Sequence, residues 1–277
     1  MKFTKMQGCG NDYVYVNLIE EQVMDCSALA RKVSDRHFGI GSDGLITIDR
    51  SDIADFKMQM YNVDGTPGEM CGNGIRCVAK YVYDHRMTDK TVLTIESGGA
   101  IKTLHLNVEN GFVKTVRACM GSPEFRPAYI PVAAEGERFI QQPVEVCGRQ
   151  WLVSGISMGN PHAVTFVDDV DWLDLEEIGP CFENHPLFPE RVNMEFVQVI
   201  DEHTLKMRVW ERGSGETLAC GTGSCACLAV AVVCGKCGPK AKLLLRGGEL
   251  GIEWDREENL IYMTGPAVTV FSGEIDE

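Results

Sequence analysis

Apolar and polar positions alternate with a period of two over residues 2–6 and 13–18, the pattern of half-buried strands. Between them Gly8-Cys9-Gly10-Asn11-Asp12 is too rich in glycine for either strand or helix and reads as a turn. A helical period follows over 26–36, where Ala28, Leu29 and Val33 share a face, and Gly39 to Gly44 reads as a loop. Strands are predicted at 45–49 and 56–61, then a helix from Gly74 to about Arg86 whose apolar side carries Ile75, Val78, Ala79 and Val82. Further strands fall near 91–96, 101–107 and 112–118, broken by Gly98-Gly99 and by Asn110-Gly111, a strong hairpin signal. Residues 121–150, with Pro123, Pro127, Pro131 and Pro143, are expected to cross irregularly with some strand. Beyond them come a strand at 151–157, a helix at 175–182, strands at 193–200 and 204–210, an almost wholly apolar helix at 223–234, and strands to 271.

The second series of elements repeats the first in one register. An offset of 149 residues carries Cys71 onto Cys220, Gly10-Asn11 onto Gly159-Asn160, Lys57-Met58 onto Lys206-Met207, and Gly72 and Gly74 onto Gly221 and Gly223. It also carries Gly98-Gly99 onto Gly247-Gly248 and Glu109-Asn110 onto Glu258-Asn259. A period this long matches a whole domain rather than a solenoid repeat, so the chain reads as a duplication with a pseudo-two-fold axis. The expected fold is α+β, two pseudo-symmetric halves, each a curved and mostly antiparallel sheet or barrel around a central helix. The halves are drawn at 1–117 with 266–277 and at 118–265, with the active site in the cleft between them. The final strand, 268–275, is expected on the sheet of the first half.

Composition narrows the partners. The 26 Lys and Arg against 40 Asp and Glu give a net charge of −14, which repels a nucleic acid unless a basic patch is concentrated somewhere, and none is visible. There is no apolar run of membrane-spanning length and no signal-peptide core after Met1, so a soluble, cytoplasmic protein without a membrane partner is expected. The twelve cysteines are scattered, and most are expected to be reduced thiols packed as small hydrophobes. Cys225 and Cys227 would lie roughly 200° apart around a helix and cannot converge on one ion. Cys234 and Cys237 end that helix, where Gly235 serves as a C-cap and a plain turn is the simpler account. No metal site is assigned.

Cys71 and Cys220 differ from the others. Each precedes Gly-x-Gly at the expected start of a helix, where free N–H groups and the helix dipole should lower a thiol's pKa and attract an anion such as a carboxylate. Inverting a carbon by proton transfer needs a base on one face and an acid on the other, each about 3–3.5 Å from the reacting atom. Two facing thiols beside paired helix N-termini would meet that need for the α-carbon of an amino acid. The residues thus point to an amino-acid racemase or epimerase; a non-enzymatic thiol or metal-binding protein is the alternative from another class.

Two long motifs carry a resemblance. Asn62 through Cys77, with Glu69-Met70-Cys71-Gly72-Asn73-Gly74-Ile75-Arg76-Cys77, and Glu211-Arg212-Gly213-Ser214-Gly215-Glu216-Thr217-Leu218-Ala219-Cys220-Gly221-Thr222-Gly223 resemble the two signatures of the diaminopimelate epimerase family. Asn73 separates it from proline racemases, which resemble Cys-Gly-His there. The resemblance covers essentially the whole chain and implies interconversion of LL- and meso-2,6-diaminopimelate, on the route to lysine and peptidoglycan, without pyridoxal phosphate, other cofactor or metal. It implies that Cys71 and Cys220 are the acid/base pair and that Gly72-Asn73 and Gly221-Thr222 hold the reacting α-carboxylate. Asn11, Asn62, Asn160, Asn193 and Arg212 would bind the rest of this small amino-acid substrate, Arg212 at its distal carboxylate, with Glu211 also in contact. His162 and Glu211 resemble the pair that adjusts the thiol pKa values. A homodimer is an assembly open to such a chain. Gly44 departs from the glutamine of some members, so one side-chain contact is absent or replaced by backbone; Val63, Thr66-Pro67-Gly68, Cys225 and Cys227 depart as well.

Overall fold

The structure is a computed structural model that describes residues 1–68 and 71–276; Glu69 and Met70, which belong to the first signature, and Glu277, which ends the expected first half, lie outside the described residues. The chain forms two compact units, Met1–Cys119 with Thr264–Glu277, and Met120–Met263.

The first unit begins with β1 (Lys2–Gly8) and β2 (Asn11–Asn17), an antiparallel pair around the Gly-rich turn, in which Cys9 and Gly10 both take positive φ. Helix α1 (Cys26–Ser34) starts at Asp25, whose carboxylate accepts from the Ala28 N–H as an N-cap, and leads to β3 (Gly44–Asp49). There follow β4 (Phe56–Asn62), the two-residue β5 (Pro67–Gly68), helix α2 (Gly72–Asp84), β6 (Val92–Ser97), β7 (Ala100–Glu109) and β8 (Phe112–Gly121), in which the chain passes to the second unit. The mostly antiparallel sheet has two parallel pairs, β2 with β3 and β4 with β6. Each is bridged by a helix, α1 or α2, as a parallel neighbour requires a long crossover. Ten consecutive residues of α2, Asn73 to Val82, are buried, so this helix fills the curve of the sheet.

The second unit repeats that plan strand for strand. After a 3-10 turn at Pro127–Tyr129 it comprises β9 (Gln142–Val146), β10 (Arg149–Ser157), β11 (Pro161–Phe166), helix α3 (Leu175–Glu183), β12 (Asn193–Asp201), β13 (Thr204–Glu211), the short β14 (Gly215–Glu216), helix α4 (Gly221–Val233), β15 (Lys240–Leu245), β16 (Gly248–Asp255) and β17 (Leu260–Pro266), in which the chain passes back to the first unit at Thr264. Its parallel pairs are β11 with β12 and β13 with β15, bridged by α3 and α4. Trp151, Phe182 and Phe196 meet edge to face at 5.4–5.9 Å in its core. Helix α4 is buried from Gly223 to Ala231, which explains why its sequence is apolar on every side. The last strand, β18 (Val268–Glu274), returns to the first unit and pairs with β1.

Three features depart from the sequence reading. Strand β11, immediately after Gly159-Asn160, was not resolved by the pattern, because Pro161-His162 opens it. Both central helices begin two residues earlier than their apolar periods suggest, since glycine and asparagine or threonine occupy the first turn. Cys147 and Cys181 are not reduced thiols: a disulfide joins the turn between β9 and β10 to α3 across a Cα–Cα distance of 6.5 Å. Among the described residues, no helix is long and apolar enough to cross a membrane.

Candidate active site

Each central helix is capped by its own cysteine. Cys71 and Cys220 are the N-cap residues of α2 and α4, with extended backbone, and each Sγ accepts the N–H of the glycine three residues on, Gly74 or Gly223, at 3.3 Å. A strand, a two-residue strand and a helix start therefore hold each thiol at the mouth of a helix. The fit beneath each first turn is close. A Cβ on Gly74 would lie 2.5 Å from Ile46 Cδ1, and one on Gly223 would lie 2.6 Å from Glu195 Oε1.

Around Cys71, the turn between β1 and β2 supplies the polar groups. The thiol donates to Asn11 Oδ1 at 3.3 Å, Asn73 Nδ2 lies 3.5 Å from the same oxygen, and Asn11 Nδ2 donates to Asp43 at 2.9 Å. Beneath them Arg76 is fully buried and donates to Gly72 O at 3.0 Å, Asn73 Oδ1 at 2.8 Å and Pro266 O at 3.3 Å. Asn62 lies at the end of β4, where its amide donates to Thr66 Oγ1 at 3.0 Å. Gly44 has no room for a side chain: its φ is +154°, and a Cβ there would stand 2.2 Å from the Tyr61 carbonyl and 3.0 Å from the Tyr13 ring.

Around Cys220 the corresponding turn gives a longer chain of bonds. Thr222 Oγ1 lies 3.5 Å from the thiol and accepts from Asn160 Nδ2 at 3.4 Å. Asn160 Oδ1 is 3.0 Å from His162 Nε2, and His162 Nδ1 is 2.7 Å from Glu195 Oε1. His162 and Glu195 are both fully buried. The carboxylate partner of His162 is thus Glu195 of β12 rather than Glu211, whose Oε1 accepts from the Thr217 hydroxyl at 2.5 Å. Asn193 is committed to backbone at both ends of its amide, donating to Pro161 O at 2.8 Å and accepting from the Arg212 N–H at 3.0 Å. The Arg212 side chain donates to Glu190 O at 3.0 Å and is otherwise exposed at the end of β13. Gly221 packs on Met263, whose sulfur would be 3.1 Å from a Cβ.

The electrostatics correct one expectation. The first-turn N–H groups do act on the thiols, but burial outweighs them and pushes both thiols up rather than down. For Cys71 the opposing contributions come from the Gly74 N–H, the Tyr13 hydroxyl, the Asn73 N–H and the Arg76 charge. For Cys220 burial is reinforced by the Glu211 and Glu195 carboxyls, against the Thr222 hydroxyl and the Gly223 N–H, and the thiol lies well above its ordinary value. The two capped thiols are therefore chemically unequal. Arg76 and Glu195, which contribute to that difference alongside Glu211, were not singled out in the sequence. A glutamate between Met194 and Phe196 in β12 was the available signal; Arg76, in line with Asn73 and Lys80 on α2, gave none.

The family model described as diaminopimelate epimerase covers residues 3–125 and 155–270. A diaminopimelate epimerase of Acetivibrio thermocellus is 58% identical over 276 residues, covering 100% of this chain and 99% of the relative. One from Methanococcus maripaludis is 54% identical, covering both chains fully. Among solved structures, a phenazine biosynthesis protein of the PhzF family from Bacillus anthracis aligns with a TM-score of 0.72 at 17% identity, covering 100% of this chain and 99% of that one. A hydroxyproline epimerase from Agrobacterium vitis aligns with a TM-score of 0.67 at 13% identity, covering 99% and 90%. At such identity these two share the fold.

Proposed function

The chain belongs to the diaminopimelate epimerase family, and from that membership we propose that it interconverts LL- and meso-2,6-diaminopimelate, without pyridoxal phosphate, by proton transfer at two cysteines. The observation that carries the mechanism is the duplicated cap, a thiol held at 3.3 Å from a first-turn N–H in each unit. One of Cys71 and Cys220, as thiolate, removes the α-proton from one side of the carbon. The other, as thiol, delivers a proton from the opposite side, and the two exchange protonation states in each turnover.

Negative charge that develops on the α-carbon spreads into its carboxylate, which the N–H groups of Gly72-Asn73 and Gly221-Thr222 would bind at the two positive helix ends. Asn11 and Asn160 each contact a thiol or its hydroxyl neighbour and can orient the ammonium group. Arg212 has a guanidinium suited to a bidentate bond with the distal carboxylate. The raised thiol values favour this chemistry at the substrate, because a sulfur shielded from water forms a stronger base once ionised. We place the activity in the cytoplasm, in the supply of lysine and peptidoglycan precursors. Reaction of LL-diaminopimelate in D₂O tests the reading: deuterium should enter the meso product at early times, ahead of its appearance in unreacted substrate. Product that keeps mostly the substrate's own α-hydrogen would refute two-thiol inversion.

A further inference from the structure

Beneath the two caps the units have diverged. The 149-residue offset carries Tyr13 onto His162, Ile46 onto Glu195 and Gly74 onto Gly223. The niche under the first turn of α2 holds the Ile46 methyl, whereas the same niche under α4 holds the Glu195 carboxyl. A hydrocarbon in one copy and a fully buried acid in the other mark a specific task for Glu195.

The bonds fix where the hydrogens lie. Asn160 turns its Nδ2 to Thr222 and its Oδ1 to His162 Nε2, and with the amide in this orientation that nitrogen carries hydrogen. The other ring nitrogen shares a second hydrogen with Glu195 Oε1 across 2.7 Å. A carboxylate with an imidazolium and a carboxylic acid with a neutral ring both satisfy this count. The surroundings favour the second: the carboxyl is fully buried beside the like-charged Glu211, and apart from its own backbone N–H and His162 no donor among the described protein groups acts on it. Leaving a charged oxygen bare in an apolar interior costs far more than leaving a carbonyl oxygen bare. The titratable groups beside Glu195 are His162 from β11, Glu211 from β13, and Cys220 and Cys227 from α4. Only His162 among them could offer positive charge. Burial accordingly pushes the Glu195 carboxyl up.

We propose that Glu195 is a neutral carboxylic acid that donates to His162 Nδ1, fixes the Nε2–H tautomer, and through Asn160 and Thr222 sets the surroundings of the Cys220 thiol. It is a positioning residue, and its role in turnover rests on the reading of Cys220 as one of the acid/base pair. Glu195→Gln keeps the shape and offers an amide N–H to Nδ1, so the tautomer survives. Glu195→Leu removes the donor, and kcat for epimerisation should fall by about 10- to 100-fold with KM little changed, the size of loss seen when the hydrogen-bond partner that orients a metal-bound histidine is removed. Two measurements need no substrate. In ¹⁵N NMR, His162 should show a neutral Nε2–H ring in the parent and in Glu195→Gln, and mixed tautomers in Glu195→Leu. Alkylation followed by peptide mapping should show a shifted rate–pH profile for Cys220 in Glu195→Leu alone, with Cys71 unmoved in all three. An imidazolium at neutral pH in the parent, a Glu195→Gln enzyme as impaired as Glu195→Leu, or an unshifted Cys220 profile in Glu195→Leu would overturn the inference. Should Glu195→Leu fail to fold, the ¹⁵N spectra of the parent and Glu195→Gln still decide it. A parent inactive on diaminopimelate would instead count against the proposed substrate and leave the spectra and profiles standing.

Discussion

At positions 71 and 220 cysteine combines two roles, a reactive thiol and a helix cap, and substitution can separate them. Serine is a strong N-cap residue, so Cys71→Ser and Cys220→Ser should unfold near the parental urea midpoint yet lose epimerisation, because an alcohol is far too weak an acid and base here. Alanine loses the cap as well, and Cys71→Ala and Cys220→Ala should be less stable than the serine variants by about 1 kcal/mol. Comparable epimerisation by any of the four, or equal midpoints for the serine and alanine pairs, would contradict these assignments. The two thiols were legible because a repeated Cys-Gly-x-Gly at one offset distinguishes them from ten other cysteines. Their supports were not. Glu195 occupies a position where the alternation calls for an apolar side chain, Arg76 sits in line with polar Asn73 and Lys80 as an exposed residue would, and only three-dimensional contact shows what their polar atoms meet.

Among elements, the central helices were readable as periods and misread at their first turns, where Gly72-Asn73-Gly74 and Gly221-Thr222-Gly223 have poor helix propensity. Cysteine caps and tertiary packing override that propensity. Strand direction was not legible, since a period of two is the same in parallel and antiparallel neighbours; the parallel pairs follow from the helices between them. The divergence beneath the first turns gives an element-level prediction. Gly74→Ala meets a methyl that can rotate, and the gain in helix propensity of about 1 kcal/mol offsets much of the strain. Gly223→Ala meets the Glu195 oxygen pinned to His162, with Cys220 Sγ only 3.2 Å away, and should destabilise by about 1–3 kcal/mol, the usual cost of overpacking. Urea titration of both variants checks the order; equal midpoints would show that Glu195 can move aside.

Across the whole molecule, two copies of one plan supply two thiols in two different settings, and the same burial that shapes those settings acts on Cys77 and Cys227. Burial pushes Cys77 up to about 11, and Cys227 lies well above its ordinary value, as Cys220 does. The consequence for stability has a definite sign. Below about pH 9 these thiols are protonated in both the folded and unfolded chain, so their contribution is fully present. Above it the unfolded chain releases their protons while the folded chain retains them, up to about 11 for Cys77, and each further rise in pH favours unfolding. Tyr15, buried and pushed upward, acts in the same direction at higher pH. Urea midpoints measured in reductant should therefore hold steady up to roughly pH 8.5 and fall progressively between roughly pH 9 and 11, steeply because several groups titrate together. Cys77→Val, which keeps a small apolar side chain in the same place, should flatten part of that slope. A midpoint that stays level through this range would mean that the buried thiols ionise in the folded protein as readily as in water, and that the interior around α2 and α4 is open to solvent.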